Sequence, residues 1–344
     1  MPAYREARAD AVPPHVQLIQ MGSGYWVSRI VYAAAKLGLA DHLAGGPKSA
    51  AELAGPTRTH APSLHRLMRT LASLGILSED ANRRFALTSL GEALKTGAPG
   101  CARATILFLA GDWWWQAWQH ILYCFKTGKT GMKKEFGMTS YEYLAKHRQD
   151  ASYFNEAMIG FNTGEPPAVA AAYDFSAFDT VVDVGGGTGN LLATILERHP
   201  GPRGILADLP RVVRDASALI NARGLRDRIT TKAIDFFKSV PGGGDAYLLS
   251  HVIHNWSEEQ CLTIFGNCRK AMKPRGRLLI IETVLPAGDT PHPGKLLDIA
   301  MLVMPGGKER TEEEYGTLLS KAGFRLTHVV PTESAVSVVE AAPV

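Results

Sequence analysis

The sequence predicts an α/β protein in which a parallel sheet, covered by helices on both faces, follows a smaller and mainly helical domain. Three observations carry this expectation. After Pro166-Pro167 the chain alternates apolar runs with amphipathic stretches, the pattern of a sheet built from β-α units. A glycine-rich turn, "VVDVGGGTGN" (181–190), joins the first apolar run to the helix after it. The first hundred residues read helix, turn, helix and β-hairpin, the order of a winged helix. At 344 residues the chain is longer than a usual single domain, so two are expected. They are 1–100 and 101–344, with 101–167 a helical linker.

The elements follow in order. Trp26, Ile30, Ala33, Leu37 and Ala40 recur at helical spacing within a helix expected over 15–45, and Gly45-Gly46-Pro47 ends it. Ser49 and Glu52 suit the cap of a short helix. Leu64, Leu67, Met68, Leu71 and Leu74 form one apolar stripe that Gly75 terminates. "ILSEDANRRFALTSLGEAL" reads as two short strands and a helix start. From 101 to 167 the pattern is helical and aromatic, including "GDWWWQAWQHIL". Strands are expected at "DTVVDVG", "RGILADLP", "RITTKAIDFF", "DAYLLSHVI" and "GRLLIIETVLP", and the chain ends in a hairpin.

Composition narrows the function. Hydrophobic residues at 46% and charged residues at 20% suit a globular protein. No run of about 18 apolar residues occurs, so no membrane span is expected. The polar N-terminal decapeptide has no signal-peptide core. Four scattered cysteines (101, 124, 261 and 268) point to reduced thiols and a cytoplasmic location. Residues 1–100 hold 11 Lys+Arg against 7 Asp+Glu, whereas the remainder holds 26 of each. That basic bias alone is too small to indicate nucleic acid.

The glycine turn selects a ligand. A dinucleotide loop needs G-x-G-x-x-G, and counting from Gly185 the third position is Asn190. Asp183, just before the turn, suits a cation better than a pyrophosphate. With Gly185 and Gly187 it fits S-adenosylmethionine, which has an ammonium, a sulfonium and no phosphate. Asp208 ends the second strand, where an acid can accept from ribose hydroxyls. Asp235 ends the third, where it can accept from an adenine amino group with Phe236 against the ring. One such acid reads equally well as a turn or cap. Three at successive strand ends, beside this loop, favour a cofactor.

"SHVIHNWSEEQC" (250–261) raises the question of a metal. His251, His254, Cys261 and Cys268 could supply ligands on paper. Residues 248–254 read as a strand, which puts the two histidines on opposite faces. The cysteines fall in an amphipathic helix with Leu262, Ile264 and Phe265. No metal is therefore expected. His251 reads as a partly buried histidine without an assigned role.

The motifs "DVGGGTG", "ADLP", "DFF", His-x-Trp, "IIETVLP" and "GGKERTEEEY" together resemble small-molecule O-methyltransferases of the caffeic acid and acetylserotonin type, including bacterial enzymes acting on aromatic natural products. The resemblance covers nearly the whole chain, and "GGKERT" with His-x-Trp is its most specific part. It implies a class I methyltransferase Rossmann-like sheet behind an N-terminal winged-helix dimerisation domain. It implies S-adenosylmethionine as cofactor, S-adenosylhomocysteine as product, a homodimer and no metal. Gly185, Asp208, Asp235 and Phe236 match cofactor positions, and Ser250 stands where plant members often carry a lysine to the adenine. His254 matches the general base, with Glu282 and Glu309 as its two supporting carboxylates. Asn255 replaces the usual Asp, from which altered substrate preference is expected. Phe154, Met158, Met301 and Met304 match acceptor-pocket positions, with Trp113–Trp115 and Trp118 as further candidates or plain helix packing. Two alternatives stand beside this reading. One is a relative that binds S-adenosylmethionine but transfers to carbon or nitrogen, or does not methylate. The other is a DNA-binding regulator using 63–75 as recognition helix, with His65, Arg66, Arg69, Arg83 and Arg84 available. The apolar first helix suits an intertwined dimer better.

Overall fold

The structure, a computed structural model, describes residues 12–100, 102–161 and 163–344. The N-terminal decapeptide and Cys101 lie outside the described residues. The chain forms two compact units, one running to Trp115 together with His147–Phe161, the other comprising Gln116–Lys146 and Asn162–Val344.

The first unit is mainly helical. The single helix expected over 15–45 is three: Pro14–Gly22, Tyr25–Lys36 and Leu39–Leu43. A glycine stands at each break, and at the second its conformation is required. Gly24 is the N-cap of the second helix, and Gly38 takes the left-handed conformation at φ +63° before the third, where a side chain would be strained. Ser49 and Glu52 form a reciprocal capping box on Ala50–Ala54. In Ala61–Ser73 the residues Leu64, Met68 and Leu71 face inward, against Phe85, Leu39, Leu43 and Leu53. Strands β1 (Leu77–Glu79) and β2 (Phe85–Leu87) pair antiparallel as the expected hairpin. The helices Ala102–Leu109 and Arg148–Phe161 complete the unit.

The second unit holds a seven-stranded sheet. Its strands are β3 (Thr180–Val184), β4 (Arg203–Asp208), β5 (Ile229–Ala233), β6 (Ala246–Ser250), β7 (Arg277–Glu282), β10 (Phe324–Pro331) and β11 (Ser337–Pro343). The two-residue strands β8 (Val284–Leu285) and β9 (Arg310–Thr311) pair separately. The sheet order is β10-β11-β7-β6-β3-β4-β5, with β3 to β7 parallel and the terminal hairpin antiparallel. Alternate residues of each strand face opposite layers. Val181, Leu248 and Leu279 pack under the helices on one face, and Val182, Leu249 and Ile280 under those on the other. Burial on both faces explains why these strands read as unbroken apolar runs. Pro166-Pro167 does not separate elements. It lies in the first turn of the helix Glu165–Ala172, where missing amide donors cost nothing. Between β3 and β6 the strand order reverses, and the loops after these two strands meet at the carboxyl end of the parallel strands, the usual ligand crevice of such sheets.

Candidate active site

Asp183 is the one acid within the apolar run of β3. It is fully buried, and neither carboxylate oxygen has a hydrogen-bond partner in the protein. Burial first, and the charge of Asp208 second, push its carboxyl up to about 7. The turn above it needs glycine for two reasons. Gly185, Gly187 and Gly189 have φ of +74°, +58° and +78°, and a Cβ on Gly186 would collide with Asp183 Oδ2. A Cβ on Gly185 would meet Val252 Cγ2 at 3.0 Å and the Phe236 ring at 3.5 Å. The loop is thus held open to a ligand by absent side chains.

Asp208 ends β4, as expected. Its carboxylate accepts from Gly187 N–H (2.9 Å) and Leu209 N–H (2.6 Å), which ties the second strand end to the glycine loop and leaves lone pairs free. Asp235 lies two residues beyond β5 rather than at its end. The polar "TTKA" stretch supports an edge strand only as far as Ala233. Asp235 Oδ1 accepts from Phe237 N–H at 3.1 Å. The Phe236 and Phe237 rings meet edge-to-face and both contact the Trp256 ring. Ser250 is the last residue of β6. Asp183, Gly185, Gly187, Asp208 and Phe236 therefore gather at the carboxyl ends of β3, β4 and β5. An orphaned buried carboxylate under an open, side-chain-free loop fits a cationic ligand.

The segment after β6 departs from the expectation of a strand through 254. The strand stops at Ser250. His251 then turns left-handed (φ +52°), and Ile253–Asn255 forms a single 3-10 turn. The two histidines consequently do not point to opposite faces: their ring centroids are 5.5 Å apart. The turn is stabilised by Asn255, whose Nδ2 donates to His251 O at 2.8 Å. A non-glycine residue in this conformation is uncommon and needs such support. His251 Nε2 lies 2.6 Å from Glu165 Oε2, a partner with no signal in the sequence.

His254 Nδ1 is 2.7 Å from Glu309 Oε1. Its backbone N–H donates to Glu282 Oε1 at 3.0 Å. The two carboxylates expected to support the imidazole thus act at different points. Glu309 holds the ring, and Glu282 holds the main chain. Both are fully buried. Among the described residues no protein group hydrogen bonds Nε2. A carboxylate at Nδ1 fixes the proton there and leaves Nε2 as the acceptor of the neutral ring. Burial favours the neutral ring. The hydrogen bond to Glu309 and the charges of Glu282 and Glu309 outweigh it, against Arg310, and hold His254 above the ordinary imidazole range.

The "GGKERT" turn positions Glu309. Gly306 (φ +87°) closes the helix Pro293–Val303 by donating to Met301 O at 2.8 Å. Lys308 N–H donates to His254 O at 2.9 Å, and a Cβ on Gly307 would be driven into that same oxygen. Glu309 N–H donates to Asp298 Oδ1 at 2.9 Å. Tyr315, the last residue of the motif, donates its hydroxyl to Glu282 Oε2 at 2.6 Å and is fully buried. Sequence reasoning gives no role to Tyr315 or Asp298. The signal for Tyr315 is its place in "GGKERTEEEY", three residues after an acidic helix start.

Cys261 and Cys268 are buried with their thiols raised, to about 11 and about 12, by desolvation first. No group of three or more His, Cys, Asp or Glu is arranged to hold a metal ion among the described residues. Met301 and Met304 are buried in the second unit. Phe154 and Met158 lie on Arg148–Phe161 in the first unit, where Phe154 packs edge-on against Phe108, as does Trp114.

Comparison with known proteins places the chain in a family. Residues 118–325 match the O-methyltransferase domain, and residues 19–97 match the O-methyltransferase dimerisation domain. The chain belongs to the S-adenosylmethionine-dependent O-methyltransferase family. Among its relatives, the phenazine O-methyltransferase PhzM of Lysobacter antibioticus is 44% identical over 337 residues, 98% of each chain. The aclacinomycin 10-hydroxylase RdmB of Streptomyces purpurascens is 38% identical over 298 residues, 85% of this chain and 80% of that one. Among solved structures, the O-methyltransferase NcsB1 from neocarzinostatin biosynthesis, in complex with S-adenosylmethionine and 2-hydroxy-5-methyl naphthoic acid, superimposes with a TM-score of 0.82 at 31% identity. That match covers 92% of this chain and 96% of NcsB1.

Proposed function

We propose that this O-methyltransferase moves a methyl group to a phenolic hydroxyl of an aromatic small molecule, with His254 as general base and without a metal. One observation carries the reading: His254 is oriented at Nδ1 by a buried carboxylate while Nε2 has no partner among the described residues. The aromatic acceptors named for PhzM and NcsB1 support the substrate class.

Asp183, the loop of Gly185 and Gly187, Asp208, Asp235, Phe236 and Ser250 would hold the cofactor. When bound, S-adenosylmethionine supplies an electrophilic methyl on a positively charged sulfur. Such a methyl is already activated, so no Lewis acid is needed. His254 Nε2 would accept the proton of an acceptor hydroxyl held beside it, which leaves that oxygen nucleophilic. Glu309 faces the imidazolium that forms and stabilises it, as in triad logic. Met301 and Met304 would offer the acceptor a polarisable surface, and the turn held by Asn255 would lie beside it. In this reading residues 1–100 form the winged-helix dimerisation domain of a homodimer and 101–344 the catalytic domain, with 101–167 contributing to the pocket. The cytoplasm is the proposed location. RdmB, named as a hydroxylase, keeps a non-methylating reading in view.

Incubation with methyl-labelled S-adenosylmethionine and a panel of phenols, phenazines, naphthoic acids and flavonoids tests the reading. The label should appear on an acceptor oxygen at a rate insensitive to EDTA. Label only on nitrogen or carbon, or a rate abolished by EDTA and restored by a divalent ion, contradicts it.

A further inference from the structure

Glu282 presents a problem that the proposed mechanism leaves open. It is a fully buried carboxylate whose Oε1 accepts from the His254 amide. Its other oxygen receives one hydrogen bond, from a phenol that is itself fully buried. A carboxylate in a dry site keeps its charge only where donors meet it.

We propose that Tyr315 is a positioning residue of this site: its hydroxyl fixes the Glu282 carboxylate in place, and Glu282 in turn holds the His254 main chain and adds negative charge beside the ring. The links run from the helix Glu312–Lys321 through Tyr315 Oη to Glu282 Oε2, and from Glu282 Oε1 to His254 N. The path bypasses the imidazole–Glu309 contact. Burial first, and the charge of Glu282 second, push the Tyr315 phenol well above its ordinary range, so it remains an O–H donor throughout the working range. Arg310 and Glu309 face the pair from the 306–311 segment, Cys261 faces it from the helix Glu258–Ala271, and His251 faces His254 from their shared turn. Asp298 stands one step behind, on the Glu309 amide.

Tyr315→Phe removes one hydroxyl and keeps the packing of the ring. It leaves Glu282 Oε2 without its donor, so the carboxylate is free to turn away from the His254 amide. A displaced Glu282 charge raises the His254 ring less, so the His254 titration moves to lower pH. The inference rests on the general-base reading for its catalytic meaning, but its test does not. The probe is the His254 Cε1–H resonance of 13C-histidine-labelled full-length protein, assigned with His254→Ala and titrated without substrate. Tyr315→Phe should lower the midpoint by at least about half a unit, and in a Glu282→Gln background it should have no further effect. An unchanged midpoint, or an equal drop with Glu282 already replaced, overturns the proposal. Thermal unfolding of each variant separates this shift from loss of fold. The base reading fails separately, through the turnover of His254→Ala.

Discussion

At the scale of the residue, three side chains make distinct predictions. His254 is held above the ordinary imidazole range by Glu309 and Glu282, and in the proposed role it accepts a proton only when neutral. The acid limb of kcat/KM should therefore lie above about 6.5. Glu309→Gln should move that limb to lower pH while reducing the plateau rate; a limb that stays in place would show that Glu309 does not act on the ring. At Asp183 the raised titration favours the neutral form instead of the charged one. Its carboxyl is raised to about 7 in the fold, so the ligand-free protein loses stability as pH rises from about 4 towards 7. A bound cation favours the carboxylate and must displace its proton below that pH. S-adenosylmethionine should bind about tenfold more weakly at pH 6 than at pH 8, and Asp183→Asn should lose that dependence. Calorimetry that finds one affinity at both pH values in the native protein rejects the role. Asn255 donates to His251 O, which an ionised aspartate cannot do. Asn255→Asp should cost about 1–3 kcal/mol, read as a lower denaturant midpoint. An unaltered midpoint would mean that the amide is not what holds the turn.

At the scale of the element, the site is assembled by two short segments pinned to each other. The 306–311 turn docks on the His254 carbonyl through Lys308 N–H, and Gly307 leaves no room for a methyl there. Gly307→Ala should lower Tm, with a cost of about 1–3 kcal/mol, and should reduce turnover more than cofactor affinity. Equal Tm and turnover would show that the turn yields. Elements of this kind mark the limit of what the sequence discloses. The central strands and the helix Ala61–Ser73 were legible because burial writes itself into apolar runs and stripes, and the Ser49–Glu52 cap because its chemistry is local; the divisions of 15–45 into three helices were not. The end of β6 was not. "SHVIHNW" alternates like a strand, yet the turn at His251 depends on Asn255 and on Glu165, eighty-six residues away. The separate roles of Glu282 and Glu309 were hidden for the same reason. Both acids could be named from motifs, but only the packing of Tyr315 and Lys308 decides which atom each one meets.

At the scale of the whole molecule, the chain pairs a dimerisation domain with a methyltransferase sheet. The first two helices carry exposed Leu18 (69%), Ile19 (66%), Met21 (64%) and Trp26 (60%). Isolated apolar residues on a surface are ordinary, but a cluster of this size marks an interface. The full-length protein should sediment as a dimer, and Leu18→Asp combined with Trp26→Asp should shift it towards monomer. A native monomer at micromolar concentration would contradict the assignment of this face. No described helix is long and apolar enough to cross a membrane. The central claim remains chemical and resides in one ring. It is tested most directly by His254→Ala assayed with S-adenosylmethionine and a phenolic acceptor identified by label transfer. The account predicts cofactor affinity within a few-fold of native and turnover reduced by about 10²–10⁴; turnover at the native rate would contradict it.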